Sequence, residues 1–470
     1  MRTGSYLIGL IILLIFSSCK KENTNLTELI PKNTPMVISI DLGAIKSKNT
    51  DLASVMAYVT GDKNKGLEKI LNSGIDLDAE AYIIYLADEL NATAVLFSLS
   101  DESKFTKSLK KEGIKFTSEK DVNIAEIKDK GVLAWKEDRG VFLGENRIEN
   151  QFDIIKSILS GTKETSLSAT NEKFKNRENT DSDIDVWCDL EALSLNADLP
   201  YLDEVNLTDV YISSGIDFED GEILVHNLLE TNEELHEFVQ LLDGEIDADI
   251  AEVVPGDHLT GAYALSLDLD KLMQLLEQKD LLPLLDKQLE PFNIKAKELK
   301  QVLTGDALLT INDLSAMLPF DYKASLAIGV KDDVTAIMML DKMSGFFDKY
   351  DEDKKYYTSG YLAAKAKDNF VVLVGPSIPY AKEFFTEGGE TLEESGYKIK
   401  SGKLSLKIDK LPQMLLKNGI GDNPFLEKIS EIISTRKITK EGVENEFIIR
   451  LKEEKKNSFS VLMQSASDNM

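Results

Sequence analysis

The segment Val37-Ile38-Ser39-Ile40-Asp41-Leu42-Gly43-Ala44-Ile45 decides the fold, because it joins a β-type run to a helix start. The first four residues are β-branched or small, which favours a strand. Asp41 follows at once and is succeeded by apolar residues at helical spacing. An aspartate before a helix can accept hydrogen bonds from the free amide protons of the first turn. The segment therefore predicts a strand that runs into a helix capped by Asp41.

The same pattern occurs three more times along the chain. It is found at residues 186–193 (VWCDLEAL), 264–272 (ALSLDLDKL) and 404–411 (LSLKIDKL), with Asp189, Asp268 and Asp409 as predicted caps. Asp41 and Asp268 are 227 positions apart, and Asp189 and Asp409 are 220 apart. One such motif is common by chance, so the order and spacing of several landmarks are the stronger evidence for a repeat.

Further landmarks repeat in the same order at offsets of 221–231 residues. They are Pro31 and Pro255, Gly131–Lys136 and Gly360–Lys365, Gly144 and Gly375, and Asp220-Gly221 and Glu441-Gly442. Such self-similarity predicts an internal duplication. We expect two similar tandem halves, residues 30–252 and 253–470. Two regions that share only a general succession of strands and helices are the alternative.

The predicted fold class is α+β, and each half is expected to be a mainly antiparallel sheet with helices packed on one face. A strand pair is predicted at 82–99 and again at 307–340, and a helix at Glu102–Glu112. Hairpins are predicted at 131–143, 360–374, 210–229 and 432–451. Residues 160–183 are rich in Ser, Thr, Asn, Lys and Glu and predict a long polar loop.

The N-terminus has the pattern of a secretory signal. Tyr6–Phe16 is an unbroken run of eleven apolar residues, preceded by Arg2. A membrane-spanning helix needs about 20 such residues, whereas the core of a signal peptide is shorter. Ser17 and Ser18 then supply small residues before Cys19. We predict a signal peptide at residues 1–18 and a polar tether at 19–29.

Phe16-Ser17-Ser18-Cys19 resembles the lipobox of bacterial lipoproteins, although Phe16 replaces the commoner leucine. The resemblance implies cleavage before Cys19, a diacylglyceryl thioether on its sulfur and an acylated amino terminus. Each buried CH₂ contributes about 0.8 kcal/mol, so several acyl chains anchor firmly. Cys19 is therefore the predicted lipidation site and the membrane a predicted partner. The expected location is the outer membrane, with the body facing the periplasm or the cell surface. An ordinary signal peptide is the alternative.

Three features together are similar to an uncharacterised lipoprotein family of Bacteroidota that carries domain of unknown function 4836. They are the lipobox, the repeated strand–Asp–Leu units and the opening Ile30-Pro31-x-x-Thr34-Pro35-x-Val37-x-x-Ile40-Asp41-Leu42. The resemblance covers nearly all of the chain after Cys19. It implies location and architecture, and the family provides no catalytic or binding residues to transfer.

Composition excludes several classes of protein. Lys and Arg number 54 against 82 Asp and Glu, for a net charge of −28, which argues against a nucleic-acid partner. Cys19 and Cys188 are the only cysteines, so disulfides do not hold the fold together. The three histidines are dispersed along the chain, which disfavours a histidine-based zinc site.

No catalytic signature is present. The chain lacks the phosphate-binding, zinc-protease and nucleophile-elbow motifs. Asp181, Asp183 and Asp185 are spaced as in a calcium loop, but Val186 and Ala192 occupy the positions that need Gly and Glu. The remaining candidates read as structural or surface residues: Ser108 and Lys111 in S-x-x-K spacing, Cys188, His226, His236 and His258. We therefore predict no catalytic, cofactor-binding or metal residue.

The leading functional hypothesis is a lipid-anchored envelope protein that binds or scaffolds without catalysis. Its partner, an envelope protein or a glycan, is not identified by any motif. Two rivals stay open from the sequence. One is an envelope hydrolase that cuts glycans or peptides with a pair of carboxylates, since 82 acidic residues allow many pairs. The other is a carrier that holds a lipid or small ligand between sheet and helices.

Overall fold

The computed structural model describes most of the chain after residue 25. The described residues are 26–48, 73–86, 92–119, 121–127, 131–144, 150–177, 181–194, 206–290, 294–313, 323–342, 345, 347–352, 355–411 and 425–468. The predicted signal peptide and Cys19 lie outside them. The predicted internal boundary at 252/253 also differs from the observed one. The chain divides into a unit that ends at Asn232 and is completed by residues from Glu453 onward, and a unit from Glu233 to Lys452.

Hydrogen bonds and packing inside each unit explain this division. In the second unit, the Asp268 amide donates to the Leu241 carbonyl at 2.9 Å, and Ile250 is fully buried in the core. Residues 233–252 therefore belong to the second unit rather than to the first. In the first unit, the Gly221 amide donates to the Lys456 carbonyl at 2.9 Å, so the chain returns to this unit near its end.

The first unit alternates strands and short helices. Its strands are β1 Met36–Asp41, β2 Glu80–Leu86, β3 Ala92–Ser98, β4 Thr117–Glu119, β5 Val122–Ile127, β6 Gly131–Lys136, β7 Arg139–Gly144, β8 Ile184–Asp189, β9 Tyr211–Glu219 and β10 Glu222–Glu230. Its α-helices are α1 Leu42–Lys48, α2 Glu102–Lys111, α3 Gln151–Leu159, α4 Leu167–Thr170, α5 Glu172–Arg177 and α6 Leu190–Ser194. The 3₁₀-helices are Leu26–Leu29 and Lys163–Thr165.

The second unit has the same kind of alternation. Its strands are β11 Gly261–Ser266, β12 Leu303–Asp313, β13 Lys323–Val330, β14 Lys349–Asp351, β15 Tyr356–Thr358, β16 Ala363–Lys367, β17 Phe370–Pro376, β18 Leu404–Lys407, β19 Ile429–Ile438 and β20 Gly442–Leu451. Its α-helices are α7 Glu233–Val239, α8 Leu269–Gln278, α9 Leu282–Leu289, α10 Ala296–Val302, α11 Asp333–Lys342 and α12 Ile378–Glu383. It also has 3₁₀-helices at Gln240–Leu242, Ala248–Glu252, Ile408–Lys410 and Leu426–Lys428, and a π-helix at Phe384–Gly388. Helix α13, Ser458–Asp468, belongs to the first unit.

The two units share one strand order. Within the first unit the described strands pair in the order β4-β5-β6-β7-β3-β2-β1-β8-β9-β10, and each of these pairs is antiparallel. The second unit has the antiparallel order β14-β15-β16-β17-β13-β12-β11-β18-β19-β20. Strand β11 thus corresponds to β1, β12 to β2, and so on up to β20, which corresponds to β10. The α+β class and the antiparallel sheets are confirmed.

The predicted aspartate caps are present at three of the four strand ends. The carboxylates of Asp41, Asp189 and Asp268 accept from the backbone amide three residues further on, at 2.8, 3.0 and 3.0 Å. The prediction for Asp409 is wrong. Strand β18 ends at Lys407, and the following 3₁₀-helix begins at Ile408, so Asp409 lies inside its first turn.

Helices cover both faces of the first sheet, rather than the one face that was expected. Neighbouring residues of a strand point to opposite faces. Leu96 of β3 packs in one core cluster with Ile155 and Ile158 of α3. The next residue, Phe97, meets Phe105 of α2, with ring centroids 5.8 Å apart. Helices α3 and α2 therefore lie on opposite faces.

The second unit is built in the same way. Val372 of β17 belongs to a core cluster with Tyr380 and Ala381 of α12, whereas its neighbour Val371 belongs to a cluster with Leu340 of α11. Both faces of the central strands are apolar, so each needs its own helical cover. The sequence pattern identifies the strands but does not reveal this double cover.

Three predicted segments have a different local structure. The predicted loop at 160–183 contains short helices between Lys163 and Arg177, because Leu167 and Phe174 are buried in the core of the first unit. Residues 333–340 form α11 rather than part of a strand, since the Asp332 carboxylate caps this segment by accepting from Thr335 N at 2.7 Å. The predicted tether at residues 19–29 extends too far along the chain, because Leu26–Leu29 is a 3₁₀-helix that packs in the core of the first unit.

A buried ion pair links helix α1 to strands β8 and β9 of the first unit. Asp183 is 1% exposed, and its Oδ2 accepts from Lys48 Nζ at 2.8 Å and from Phe218 N at 2.6 Å. Lys48 also donates to Glu219 at 3.2 Å. Burial lowers the pKa of Lys48, but the hydrogen bonds and charges of Asp183 and Glu219 outweigh that effect and raise it overall. The carboxylate thus joins α1 to the strands β8 and β9.

Replacing Asp183 by alanine should lower the free energy of unfolding by about 3 kcal/mol, because the Phe218 amide loses its acceptor and the Lys48 ammonium loses one of its two. Urea unfolding followed by circular dichroism measures the change. Asp181→Ala is the matched control, since Asp181 is exposed and its loss should cost less than about 0.5 kcal/mol. Equal effects of the two substitutions would contradict the buried role of Asp183.

Candidate functional site

An open cleft of about 600 Å³ lies in the second unit, and charged and polar groups line it. Strand β16 forms its floor. Lys365 and Lys367 alternate with Ala364 and Ala366, so both lysines point to one face of the strand. The π-helix and the segment that follows it form the wall. π-Helical turns often accompany functional sites.

Lys365 lies partly buried against Phe385, near the start of the wall and in the last part of the continuous helix formed by α12 and the π-helix. Its Nζ donates to the carbonyl oxygen of Phe385 at 3.2 Å and lies 5.9 Å from the centroid of the Phe385 ring. Burial, followed by the neighbouring charge of Lys367, lowers the pKa of Lys365. A helix C-terminus presents free carbonyl groups and favours a cation. Lys365 is therefore held in place as a hydrogen-bond donor at the cleft floor.

Main-chain hydrogen bonds hold the wall against residues 251–256. The Gly256 amide donates to Glu390 O at 2.9 Å, and the Leu392 amide donates to Val254 O at 3.0 Å. Gly388 has a φ of +76°, a conformation that glycine adopts without strain, and it turns the chain out of the π-helix. Lys367, which lies on the floor of the cleft, donates from its Nζ to the carbonyl oxygen of Glu252 at 3.3 Å. The cleft is thus preformed by backbone contacts.

The lining of the cleft combines charged, aromatic and hydroxyl groups. The volume lies in the range of about 300–1,000 Å³ that is usual for small-molecule sites. The side chains offer two ammonium groups, aromatic rings and carboxylates from Lys365, Lys367, Phe384, Phe385, Glu387, Glu390 and Glu394. None of the lining side chains is a histidine, cysteine or serine. A polar ligand with both donors and acceptors fits this mixture of charges.

A second concavity, in the first unit, is too small for a ligand. It encloses about 20 Å³ and lies between β1, β2, β8 and α5. Trp187 is 3% exposed, lines this space, and its indole N–H has no hydrogen-bond partner among the described residues. A volume of this size holds about one water molecule, which needs polar neighbours such as Ser39 and Asp185. We interpret it as a hydration site.

The structure places the motif residues apart from the cleft. Ser108 and Lys111 lie on α2 of the first unit. Asp183 and Asp185 are taken up by ion pairs, the latter with Arg177 at 3.3 Å. No cluster of three or more metal-ligating side chains occurs among the described residues. His226 and His258 are exposed, and His236 is half-buried on α7.

Sequence reasoning missed the cleft. The available signals were the alternation of lysine with alanine at 363–367 and the pair Gly388-Gly389. Both patterns are common in solvent-exposed strands and turns. Only the tertiary fold, which brings residues 251–256 against residues 390–392, turns them into a concave surface.

The family model described as Domain of unknown function (DUF4836) matches residues 26–324, which is more than half of the chain. The chain belongs to this family. The match begins at Leu26, the first described residue of this DUF4836 protein, and extends into the second unit. Its boundaries therefore do not coincide with one structural unit.

Other comparisons give little more. No curated protein matches the chain. Two crystal forms of TP0453 are similar to parts of this DUF4836 protein. Form III has a TM-score of 0.29 at 11% identity, covering 48% of this chain and 90% of TP0453. Form I has a TM-score of 0.30 at 11% identity, covering 46% and 81%. Among the described residues, no helix is long and apolar enough to cross a membrane.

Cys188 should react slowly with thiol reagents in the folded protein. It is buried, and burial followed by the charge of Asp189 raises the pKa of its thiol to about 11. In a Cys19→Ala variant Cys188 is the only thiol, and at pH 8 its alkylation should be on the order of 100-fold slower than in urea. The rate should rise as the pH approaches 11. Mass spectrometry measures the alkylated fraction, and similar rates with and without urea would contradict the buried thiol.

Proposed function

We propose that this DUF4836 protein is a lipid-anchored protein of the cell envelope, attached through Cys19, that binds a ligand or partner without converting it. One observation carries the anchor: a run of eleven apolar residues leads directly into Phe16-Ser17-Ser18-Cys19. That run is too short for a spanning helix and has the length of a signal-peptide core. The acylated cysteine would then be the first residue of the mature chain.

The cysteine inventory supports this assignment. The sequence contains Cys19 and Cys188 only, and Cys188 is buried in β8 beside Trp187. Cys19 is therefore the one thiol in a context that a modifying enzyme recognises. Several acyl chains on one cysteine anchor firmly, because each buried CH₂ adds about 0.8 kcal/mol. The outer membrane is the proposed site, with the periplasm and the cell surface as its two sides.

The cleft of the second unit supports binding over catalysis. It has the volume of a small-molecule site, a preformed wall and a partly buried lysine as a fixed donor. Its lining contains no histidine, cysteine or serine, the residues most often used in acyl transfer, whereas Glu387, Glu390 and Glu394 supply carboxylates. An envelope glycan or a peptide segment offers the mixture of donors and acceptors that these side chains match.

Substituting Cys19 by alanine should release the protein from membranes, because the sole acylation site is lost. Two measurements check this: membrane retention after a carbonate wash, and incorporation of a clickable fatty acid. Cys188→Ala is the matched control and should keep both retention and label. Retention and labelling of the Cys19→Ala protein at the wild-type level would reject the anchor.

A further inference from the structure

Helix α11 carries an apolar surface that faces solvent. Val334, Ile337 and Met338 are 77%, 52% and 44% exposed, and their spacing places them on one side of the helix. The opposite side is also apolar, since Ala336 and Leu340 are buried in the second unit. A surface helix normally has one apolar face and one polar face, and a helix apolar on both sides is usually covered on both.

The equivalent helix of the first unit shows that the fold does not require this surface. Helix α2 follows β3 as α11 follows β13, and both begin after a capping aspartate. Asp101 and Asp332 are 231 positions apart. With the same offset, Ser103, Thr106 and Lys107 stand where α11 has its three exposed apolar residues, and Ser103 and Lys107 are exposed. The apolar side chains of α11 are therefore a special property of the second unit.

Aromatic rings extend this surface beyond the last turn of α11. Tyr357 donates its hydroxyl hydrogen to the Asp341 carboxylate, which fixes its ring at the end of the helix. The ring of Tyr350 lies 4.6 Å from that of Tyr357, and Tyr350 is 50% exposed. Tyrosine is enriched in protein–protein interfaces because it buries a large ring and keeps a polar group. We call Val334, Ile337, Met338 and Tyr350 the α11 face.

Acidic side chains lie at both ends of the α11 face. Asp332 precedes the first turn, Asp333 lies within it, and Asp341 lies in the last turn. The lysine of that turn, Lys342, is already engaged by Glu298 at 3.1 Å. The chain as a whole carries a net charge of −28. A complementary surface therefore needs apolar side chains with positive charges at both ends.

We propose that the α11 face binds an amphipathic helix of a partner protein, with an apolar stripe flanked by lysine or arginine. Apolar side chains at i, i+3 and i+4 form the stripe with which one amphipathic helix packs against another, and α11 has this spacing. A second copy of this chain would bring aspartates against aspartates if the two α11 helices packed together. An anionic bilayer is disfavoured for the same reason, since membrane-surface helices have basic polar faces. The proposal is independent of the lipid anchor.

The test uses the full chain and a synthetic amphipathic helix of leucine and lysine as the probe. Fluorescence anisotropy should show saturable binding of this peptide, and no binding of the analogue in which glutamate replaces lysine. The triple variant Val334→Ser, Ile337→Thr, Met338→Lys copies the first unit and should weaken binding at least about tenfold. Ser103→Lys adds the same charge on α2 and should leave the affinity unchanged.

Three outcomes would overturn the proposal. The triple variant could bind the peptide as tightly as the wild type, which would make the binding nonspecific. Sedimentation could show a wild-type dimer that the triple variant dissociates, which would make a second copy the occupant. Flotation with phosphatidylglycerol vesicles, lost in the triple variant, would make a membrane the occupant. The single variant Ile337→Thr, which alters one exposed side chain, repeats the test if the triple variant has a lower melting temperature.

Discussion

The architecture depends on one constraint: the central strands of each sheet are apolar on both faces, so both faces must be covered. Leu96 and Phe97 illustrate it in the first unit, and Val371 and Val372 in the second. Burying an apolar side chain contributes about 1.5–3 kcal/mol, so an uncovered face would forfeit a large part of the driving force. One helix therefore follows β3 or β13, and another follows β7 or β17 on the opposite face. The aspartate caps at the strand ends start several of these covering helices where they are needed.

Much of this organisation was predictable because it is local. Strand ends, aspartate caps and tight hairpins depend on a few neighbouring residues, and Asp41, Asp189 and Asp268 are found as predicted. Asp368 and Asn369 both have positive φ at the predicted hairpin turn. The failures have two kinds of cause. Burial of Leu167 and Phe174 in the core is nonlocal, and it explains the short helices between Lys163 and Arg177. The helix after β13 begins at a local cap, Asp332, which lies just after the strand in a segment predicted as part of a strand pair. The cleft around Lys365 could not be inferred, because its wall is held by residues more than a hundred positions earlier in the chain.

The repeated strand order also provides an internal comparison that a single-copy fold lacks. Positions at which both units have the same residue type indicate what the fold requires. One example is the capping aspartate before α2 and before α11. Positions at which the residue types differ indicate a property that only one of the two units has. One such difference is that α2 has polar side chains at the positions where α11 exposes apolar ones. Another is the open cleft beside the π-helix, which is described in the second unit. Both proposed binding surfaces thus lie in the second unit, while the first unit lies closer in sequence to the proposed anchor.

Helix α13 has a consequence for biogenesis. The Asn457 side chain donates to the carbonyl of Phe218, 239 positions earlier, at 2.9 Å, and the centroids of the Phe459 and Phe218 rings are 5.1 Å apart. Ser460 reaches the carbonyl of Lys48 at 3.4 Å. If the chain is exported as proposed, it enters the secretion pore from its amino terminus, and these partners of the first unit arrive only after the entire second unit has passed. The first unit would then stay incompletely sealed until the second has been translocated.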